Sequence, residues 1–124
     1  MSHNTQAKPT VEKRIGFVKT IEIDVPGEIL DMVIDTLEFD TTNCEYPNII
    51  HVSGNIYALA YQGKGNDGFL KTVEITPSGQ INNTVIDTLE FDPVVATTPN
   101  IIPVSGNIFA MLIGVNTVMV SLRQ

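Results

Sequence analysis

Short apolar runs separated by turn residues make up most of the chain. Residues 56–61 (IYALAY) are apolar throughout and have the length of a strand, which predicts a strand buried on both faces. Residues 48–52 are predicted to form the preceding strand, and residues 53–55 (SGN) the tight turn of the hairpin. No segment keeps a helical period, so the pattern predicts an all-β protein.

The same pattern continues after this hairpin. It predicts a polar loop at 62–68 (QGKGNDG), a third strand at 69–75, a turn at 76–79 (TPSG) and a fourth strand at 81–91. Four antiparallel strands joined by short turns within about 50 residues are typical of one blade of a β-propeller.

The chain also repeats itself with an offset of 52 residues. The octapeptide VIDTLEFD at 33–40 recurs at 85–92, and the tetrapeptide PNII recurs at the same offset. Between residues 16–61 and 68–113, 26 of 46 positions are identical without a gap, which indicates a tandem duplication rather than chance. The repeats begin near residues 16 and 68.

We therefore divide the chain into a polar N-terminal tail (1–15) and a two-blade unit (16–122). The unit begins with the third and fourth strands of one blade (17–40), continues through a whole blade (47–92) and ends with the first two strands of another (99–113). Propellers with this stagger close by completing the blade at one end with strands from the other end.

Two blades cannot form a closed ring, because known rings need about four to eight. We therefore predict a homo-oligomer in which chains exchange strands, and size favours a trimer with six blades. Residues 116–122 (NTVMVSL) depart from the KGNDGFL that the repeat predicts. They could form an extra edge strand, compete with residues 17–23 for one position, or end the assembly differently.

Three segments carry a resemblance to known proteins: GFLKTVEI, TVIDTLEFD and PNIIHVSGNIYALAY. They resemble the blades of long, highly repetitive β-propellers of archaeal and bacterial hypothetical and surface proteins, over about residues 16–113. The two-blade organisation is also similar to that of small bacterial and fungal lectins, whose two-blade chains trimerise into six-bladed rings. That similarity implies sugar sites between blades; the tryptophan those sites use has no counterpart here.

Composition narrows the range of functions. The 124 residues carry 14 acidic and seven basic side chains, a net charge of −7, which argues against nucleic acid and anionic membranes as partners. No run of residues is long and apolar enough for a membrane helix and no signal peptide is visible, so a cytoplasmic location is the default expectation. A single cysteine excludes an internal disulfide, and we expect no metal and no cofactor.

Most acidic positions favour a structural interpretation. Asp35, Glu38 and Asp40 recur at the equivalent positions of the second repeat. Such carboxylates could act in acid–base chemistry or bind Ca²⁺, but repetition on an alternating strand favours a solvated outer face. The loop residues Asn66 and Asp67 resemble part of an oxygen-rich Ca²⁺ loop, for which a simple turn is the alternative.

Positions at which the repeats differ are the better candidates for binding. Tyr46 could stack on a sugar, and Glu45 or His51 could bind its hydroxyl groups; drift after duplication is the alternative. Together with Asn66 and Asp67, these form the predicted ligand-binding set. Cys44 with His51 lacks a third orienting residue, so we predict no catalytic site and no enzyme.

Two functions remain from the sequence. The first is a non-enzymatic ring that binds a ligand through several identical weak sites, glycans included. The alternative is a purely structural subunit that assembles into a ring or a filament by strand exchange.

Overall fold

The computed structural model describes residues 13–115 and is built from strands. They are β1 (Gly16–Thr20), β2 (Asp35–Asp40), β3 (Glu45–Ser53), β4 (Ile56–Gln62), β5 (Asp67–Glu74), β6 (Asp87–Ser105) and β7 (Ile108–Val115). A single 3-10 turn, Lys64–Asn66, lies between β4 and β5, and the described residues contain no α-helix. The tail at 1–12 and the predicted strand at 116–122 lie outside the described residues.

The strands form three small antiparallel sheets. Sheet 1 pairs β1 with β2, and sheet 2 has the order β3, β4, β5 and the first half of β6. Sheet 3 pairs the second half of β6 with β7. β6 is long enough to take part in two sheets because it pairs with β5 up to Val95 and with β7 from Ala96. The prediction of an all-β chain is confirmed, and the sheets do not close on one another.

The predicted element boundaries differ from the observed ones in two places. The fourth strand begins at Asp87 instead of residue 81, and residues 82–86 form no strand. Before it, Ile81 makes only an isolated bridge to Ile75, and the Asn82 side chain accepts a hydrogen bond from the Thr84 N–H at 3.1 Å. A polar side chain that bonds to its own backbone competes with the strand ladder. The predicted polar loop at 62–68 is also shorter, because β4 continues through residue 62 and β5 begins at residue 67.

Sheet 2 is the middle layer of the three. One of its faces packs against sheet 1 in a cluster of buried side chains: Val18, Leu37, Phe39, Cys44, Leu59, Tyr61, Val73 and Ile81. The other face contributes Ala58 and Ala60 to a second cluster, in which sheet 3 supplies Ile101. Consecutive sheets therefore bury side chains of both alternating faces of β4, as its continuous apolar sequence predicts.

Two equivalent glycines allow close packing at the start of β1 and β5. A Cβ on Gly16 would lie 2.6 Å from Cζ of Phe39, and a Cβ on Gly68 would lie 2.6 Å from Cζ of Phe91. A side chain does not fit at either position. The same contact in both repeats shows that the duplication preserved the local packing.

Candidate functional site

Several apolar side chains that are exposed in one repeat have buried equivalents 52 residues away in the other. Ile29 is 63% exposed, whereas Ile81 at the equivalent position is 5% exposed. Leu112 is 73% exposed, whereas the equivalent Ala60 is fully buried. The same contrast separates three further pairs: Ile21 from Val73, Leu89 from Leu37, and Phe17 from its partly buried equivalent Phe69.

β1 and β7 each have an open edge that their equivalents in sheet 2, β5 and β4, do not have. Among the described residues, β1 pairs only with β2, and β7 pairs only with β6. An open strand edge presents a row of N–H and C=O groups that another strand can pair with. The two open edges belong to equivalents of β5 and β4, which are hydrogen-bonded to each other inside sheet 2.

A groove of about 280 Å³ lies next to the open edge of β1, between sheets 1 and 2. Its lining is apolar apart from Lys19 and Asn48 and includes Phe17, Phe39, Ile49 and Leu59. A sheet strand added to β1 would lie over this groove. The open edge and the groove thus form one continuous surface.

The structure divides the predicted ligand-binding residues into two groups. Glu45 pairs with Gln62, whose side-chain Nε2 donates to the Asn66 carbonyl oxygen at 3.4 Å, so Glu45, Tyr46, Asn66 and Asp67 share one end of sheet 2. His51 lies at the other end of β3, about 20 Å away at the usual rise per residue. The predicted residues therefore lie towards both ends of β3 and do not form one cluster within the chain.

Tyr46 is half exposed and occupies a left-handed backbone conformation with φ of 54°. A bulky residue in that conformation is strained, and strain can mark a functional position. The equivalent Thr98 has φ of 45°, at the same irregularity of strand register. The strain therefore belongs to the repeated bulge and gives no evidence for a special role of the tyrosine.

Glu45 and His51 both have local partners. Glu45 Oε2 lies 3.7 Å from Nε of Arg14. His51 Nε2 is 2.8 Å from the Gly54 carbonyl oxygen, and its ring lies 5.0 Å from that of Tyr57. His51 thus supports the β3–β4 turn.

The loop candidates also form structural contacts. Asn66 has φ of 66° and its N–H donates to the Gly63 carbonyl oxygen at 2.9 Å, which closes the 3-10 turn. A hydrogen bond with Asp67 raises the pKa of Glu90 on the neighbouring strand, and the charge of Asp67 adds to the effect. Within residues 13–115, no group of three His, Cys, Asp or Glu side chains is placed to hold a metal ion.

A polar cluster inside the sheet 1–sheet 2 interface involves Asp40. Its carboxylate accepts hydrogen bonds from the N–H groups of Thr42 and Asn43, at 2.8 and 3.0 Å, and from the Tyr61 hydroxyl at 2.7 Å. Although desolvation opposes ionisation, these hydrogen bonds hold the Asp40 pKa below its usual value. Burial and the hydrogen bond to Asp40 raise the pKa of the Tyr61 hydroxyl.

Cys44 is a buried thiol beside this cluster. Burial, followed by the negative charges of Asp40 and Glu45, raises its pKa to about 11. A thiol that stays protonated at neutral pH is a poor nucleophile. His51 is too far along β3 to act as its base.

No family model, curated protein or solved structure matches this chain. The site must therefore be interpreted from its own geometry. In addition, no helix among the described residues has the length and apolarity of a membrane span.

Sequence reasoning missed three polar contacts between sheets. Thr20 Oγ1 donates to the Gly79 carbonyl oxygen, and Asp35 Oδ2 accepts from the Ile81 N–H, both at 2.7 Å. The third contact joins the side chains of two asparagines at equivalent positions of the repeats. All the residues of these contacts recur at the equivalent positions of the other repeat, but recurrence alone does not distinguish a contact from a solvated face.

Proposed function

We propose that the chain is a β-propeller subunit whose copies associate head to tail into a closed ring. Sheet 1 is half a blade, sheet 2 a whole blade and sheet 3 the complementary half. β7 of one copy pairs with β1 of the next, so that sheets 3 and 1 of neighbouring copies complete a four-stranded blade. Three copies give six blades.

One observation carries this proposal. Several apolar residues that a single chain leaves exposed are equivalents of residues that the same chain buries between its sheets, as Ile29 and Ile81 illustrate. The duplicated sequence therefore retains side chains suited to an interface at positions where one chain has nothing to pack against them. A following copy supplies the missing surface.

The expected energy is sufficient for stable association. Burying a large aliphatic side chain contributes about 1.5–3 kcal/mol, so several such residues on each surface give on the order of 10 kcal/mol before the entropy of association is subtracted. The surfaces differ from each other, which makes the interface heterologous. A heterologous interface produces a ring if its rotation closes and a filament if it does not.

Mass photometry and light scattering test the ring. Three chains of 13.5 kDa give a particle of about 40 kDa. A stable monomer at micromolar concentration would contradict the proposal. Particles of unlimited length would support the structural alternative, a filament built by the same strand exchange.

Multivalent binding, with glycans as the ligand class, is the second candidate. It is favoured by the placement of Glu45, Tyr46, Asn66 and Asp67 at one end of sheet 2, where each chain offers one tyrosine beside polar side chains. A ring repeats this surface once per copy, which increases the apparent affinity of weak sites.

A glycan array probed with the assembled protein tests the binding function. Tyr46→Ala is expected to remove the signal, because stacking on the ring would supply much of the contact area. His51→Ala, at the other end of β3, is the matched control and should leave the signal unchanged. An array with no bound glycan would leave the structural subunit as the function.

A further inference from the structure

The contacts between sheets 1 and 2 form a template for an interface between chains. Two strand residues of sheet 1, Thr20 and Asp35, form hydrogen bonds with the backbone of a turn in sheet 2, and we use these bonds as the template. Thr20 donates to the Gly79 carbonyl oxygen, and Asp35 accepts from the Ile81 N–H. All four groups lie in elements that the duplication repeats.

Residues equivalent to these four lie on sheet 2 and beside sheet 1, where they can form the same contacts with another copy. Thr72 and Asp87 occupy the equivalent strand positions on sheet 2, and Gly27 and Ile29 occupy the equivalent turn positions beside sheet 1. The turn keeps its shape, with φ of 105° at Gly27 and 91° at Gly79. Nothing lies within 4 Å of where a Cβ of Gly27 would stand, so this turn is uncovered in the described chain.

The pairing of β4 with β5 in sheet 2 indicates the register in which β7 of one copy would pair with β1 of another. There, β4 and β5 pair antiparallel without a shift from Ile56 opposite Glu74 to Gln62 opposite Gly68. β7 is the equivalent of β4, and β1 is the equivalent of β5. Because side chains alternate between the two faces of a strand, this register places the apolar side chains of both strands on the faces that sheet 2 buries, whereas a slip by one residue would turn them to the opposite faces.

A third contact runs between equivalent positions of the two repeats. Asn48 Nδ2 donates to Asn100 Oδ1 at 2.6 Å. Each of these oxygens also accepts the N–H of the following residue, at 2.9 Å in both repeats, which orients the two amides alike. A bond between equivalent, equally oriented amides can continue from Asn100 of one chain to Asn48 of the next.

We propose that a second copy docks with its β1 antiparallel to β7, with its Glu22 opposite Ile108 and its Gly16 opposite Gly114. This inference rests on the ring assembly proposed above and specifies its partner and register. The contacts of the docked copy then follow from the template: Asp87 accepts from the second copy's Ile29 N–H, Thr72 donates to its Gly27 carbonyl oxygen, and Asn100 donates to its Asn48. In a closed ring the asparagine bonds form an unbroken cycle.

The groove beside β1 receives the docked strand. Leu112 and Ile102 project from the outer face of sheet 3, as their equivalents Ala60 and Ile50 project from sheet 2 toward sheet 3. In the docked complex, these two side chains of the first copy lie over the groove of the second copy, near its Ile49 and Leu59. The groove has room for Leu112, which is larger than its equivalent alanine.

Cysteine cross-linking tests the register. We expect Glu22→Cys with Ile108→Cys to form disulfides between chains under mild oxidation with copper phenanthroline, because opposed strand residues lie within disulfide distance. Both native residues are exposed in the single chain. The background is Cys44→Ala, since alanine already occupies the equivalent buried position 96.

Glu22→Cys with Ala110→Cys is the matched control. Residue 110 lies on the same strand face as residue 108 but is displaced by two residues, so this pair should cross-link at least tenfold less in a non-reducing gel. Lys19→Cys with Met111→Cys provides a second opposed pair, for use if the first substitution impairs folding.

The outcomes separate the register from the assembly. A ring in light scattering with cross-links only in the opposed pairs supports the inference. A ring in which the displaced pair cross-links, or neither opposed pair does, overturns the register and leaves the ring intact. A chain that remains monomeric under the same conditions overturns the ring itself.

Discussion

Tyr61 and Asp40 join sheets 1 and 2 through a partly buried hydrogen bond. The Tyr61 side chain is fully buried, and its hydroxyl donates to the Asp40 carboxylate at 2.7 Å. The ring of Phe39 packs edge-on against Tyr61 at a centroid distance of 5.1 Å. Tyr61 therefore combines apolar packing with a charge-assisted hydrogen bond.

We expect Tyr61→Phe to lower the free energy of unfolding by about 1.5–3 kcal/mol, because it removes a hydrogen bond to a charged group. Chemical denaturation monitored by circular dichroism measures this loss. Tyr57→Phe is the control, because the equivalent residue is Phe109 and no hydrogen bond of the Tyr57 hydroxyl occurs within the described residues. An equal loss in both variants would contradict the role given to Asp40.

The Asp35 carboxylate is expected to make the stability of the fold depend on pH in the acidic range. The backbone N–H of Ile81, and then that of Thr36, lower the pKa of its carboxylate. The charged form is thus favoured in the folded chain, and its contribution to stability is present above the unfolded pKa of about 4. It is lost as the pH falls through the lower pKa of the folded state.

Asp35→Asn should therefore reduce stability at pH 7 and flatten the fall in the unfolding temperature below about pH 4. Thermal unfolding followed across acidic pH provides the measurement. Asp31→Asn removes an exposed carboxylate from the preceding loop and is the control. The assignment is wrong if both variants keep the acid dependence of the native chain.

At the scale of the elements, equivalent strands share their close contacts. Gly16, the first residue of β1, and Gly68, the second residue of β5, pack directly on phenylalanine rings of β2 and β6. The register of β3 and that of the second half of β6 also shift at equivalent places, before Asn48 and before Asn100. The repeated sequence thus specifies repeated irregularities as well as repeated strands.

We expect Gly68→Ala to destabilise the protein by about 1–3 kcal/mol, because its methyl group would overlap the Phe91 ring. Gly16→Ala should have a similar effect through Phe39. Unfolding measurements on the two variants compare the repeats directly. Phe91→Leu should reduce the cost of Gly68→Ala in a double-mutant cycle; additive effects would contradict the contact.

At the scale of the whole molecule, the exposed apolar surfaces are the feature to test. Leu112 is 73% exposed in the single chain, so Leu112→Glu should leave the folded monomer intact. In the proposed ring this side chain is buried, where an unpaired charge is costly. We expect Leu112→Glu to dissociate the ring to a monomer of 13.5 kDa, measured by mass photometry.

Val25→Glu is the matched control for that prediction. Val25 is 91% exposed, and its equivalent Pro77 is exposed as well, so the position faces solvent in either repeat. The control should assemble normally. A ring that survives Leu112→Glu would exclude this surface from the interface.

Much of the fold could be predicted from local sequence. The β3–β4 hairpin was predicted closely because its apolar run and its Ser-Gly-Asn turn are both short-range signals. The fourth strand was placed too early because Ile81 and Val85 have strand propensity, while the side-chain hydrogen bond of Asn82 interrupts the ladder between them. The grouping of the candidate site residues is less well predicted, because the pattern predicts a strand only at 48–52, whereas β3 runs from Glu45 to Ser53 and places Glu45 and His51 towards its opposite ends.

The amino-acid sequence by itself determined the all-β class and the duplication, because these depend on propensity and on identity at a fixed offset. Only the tertiary structure decided which polar side chains bridge the sheets, which apolar residues stay uncovered and that β1 and β7 are left with an open edge. Those properties depend on the distance between groups far apart in the chain. Asp35 and Asp87 have the same local sequence, and only packing gives one of them the Ile81 N–H as a partner.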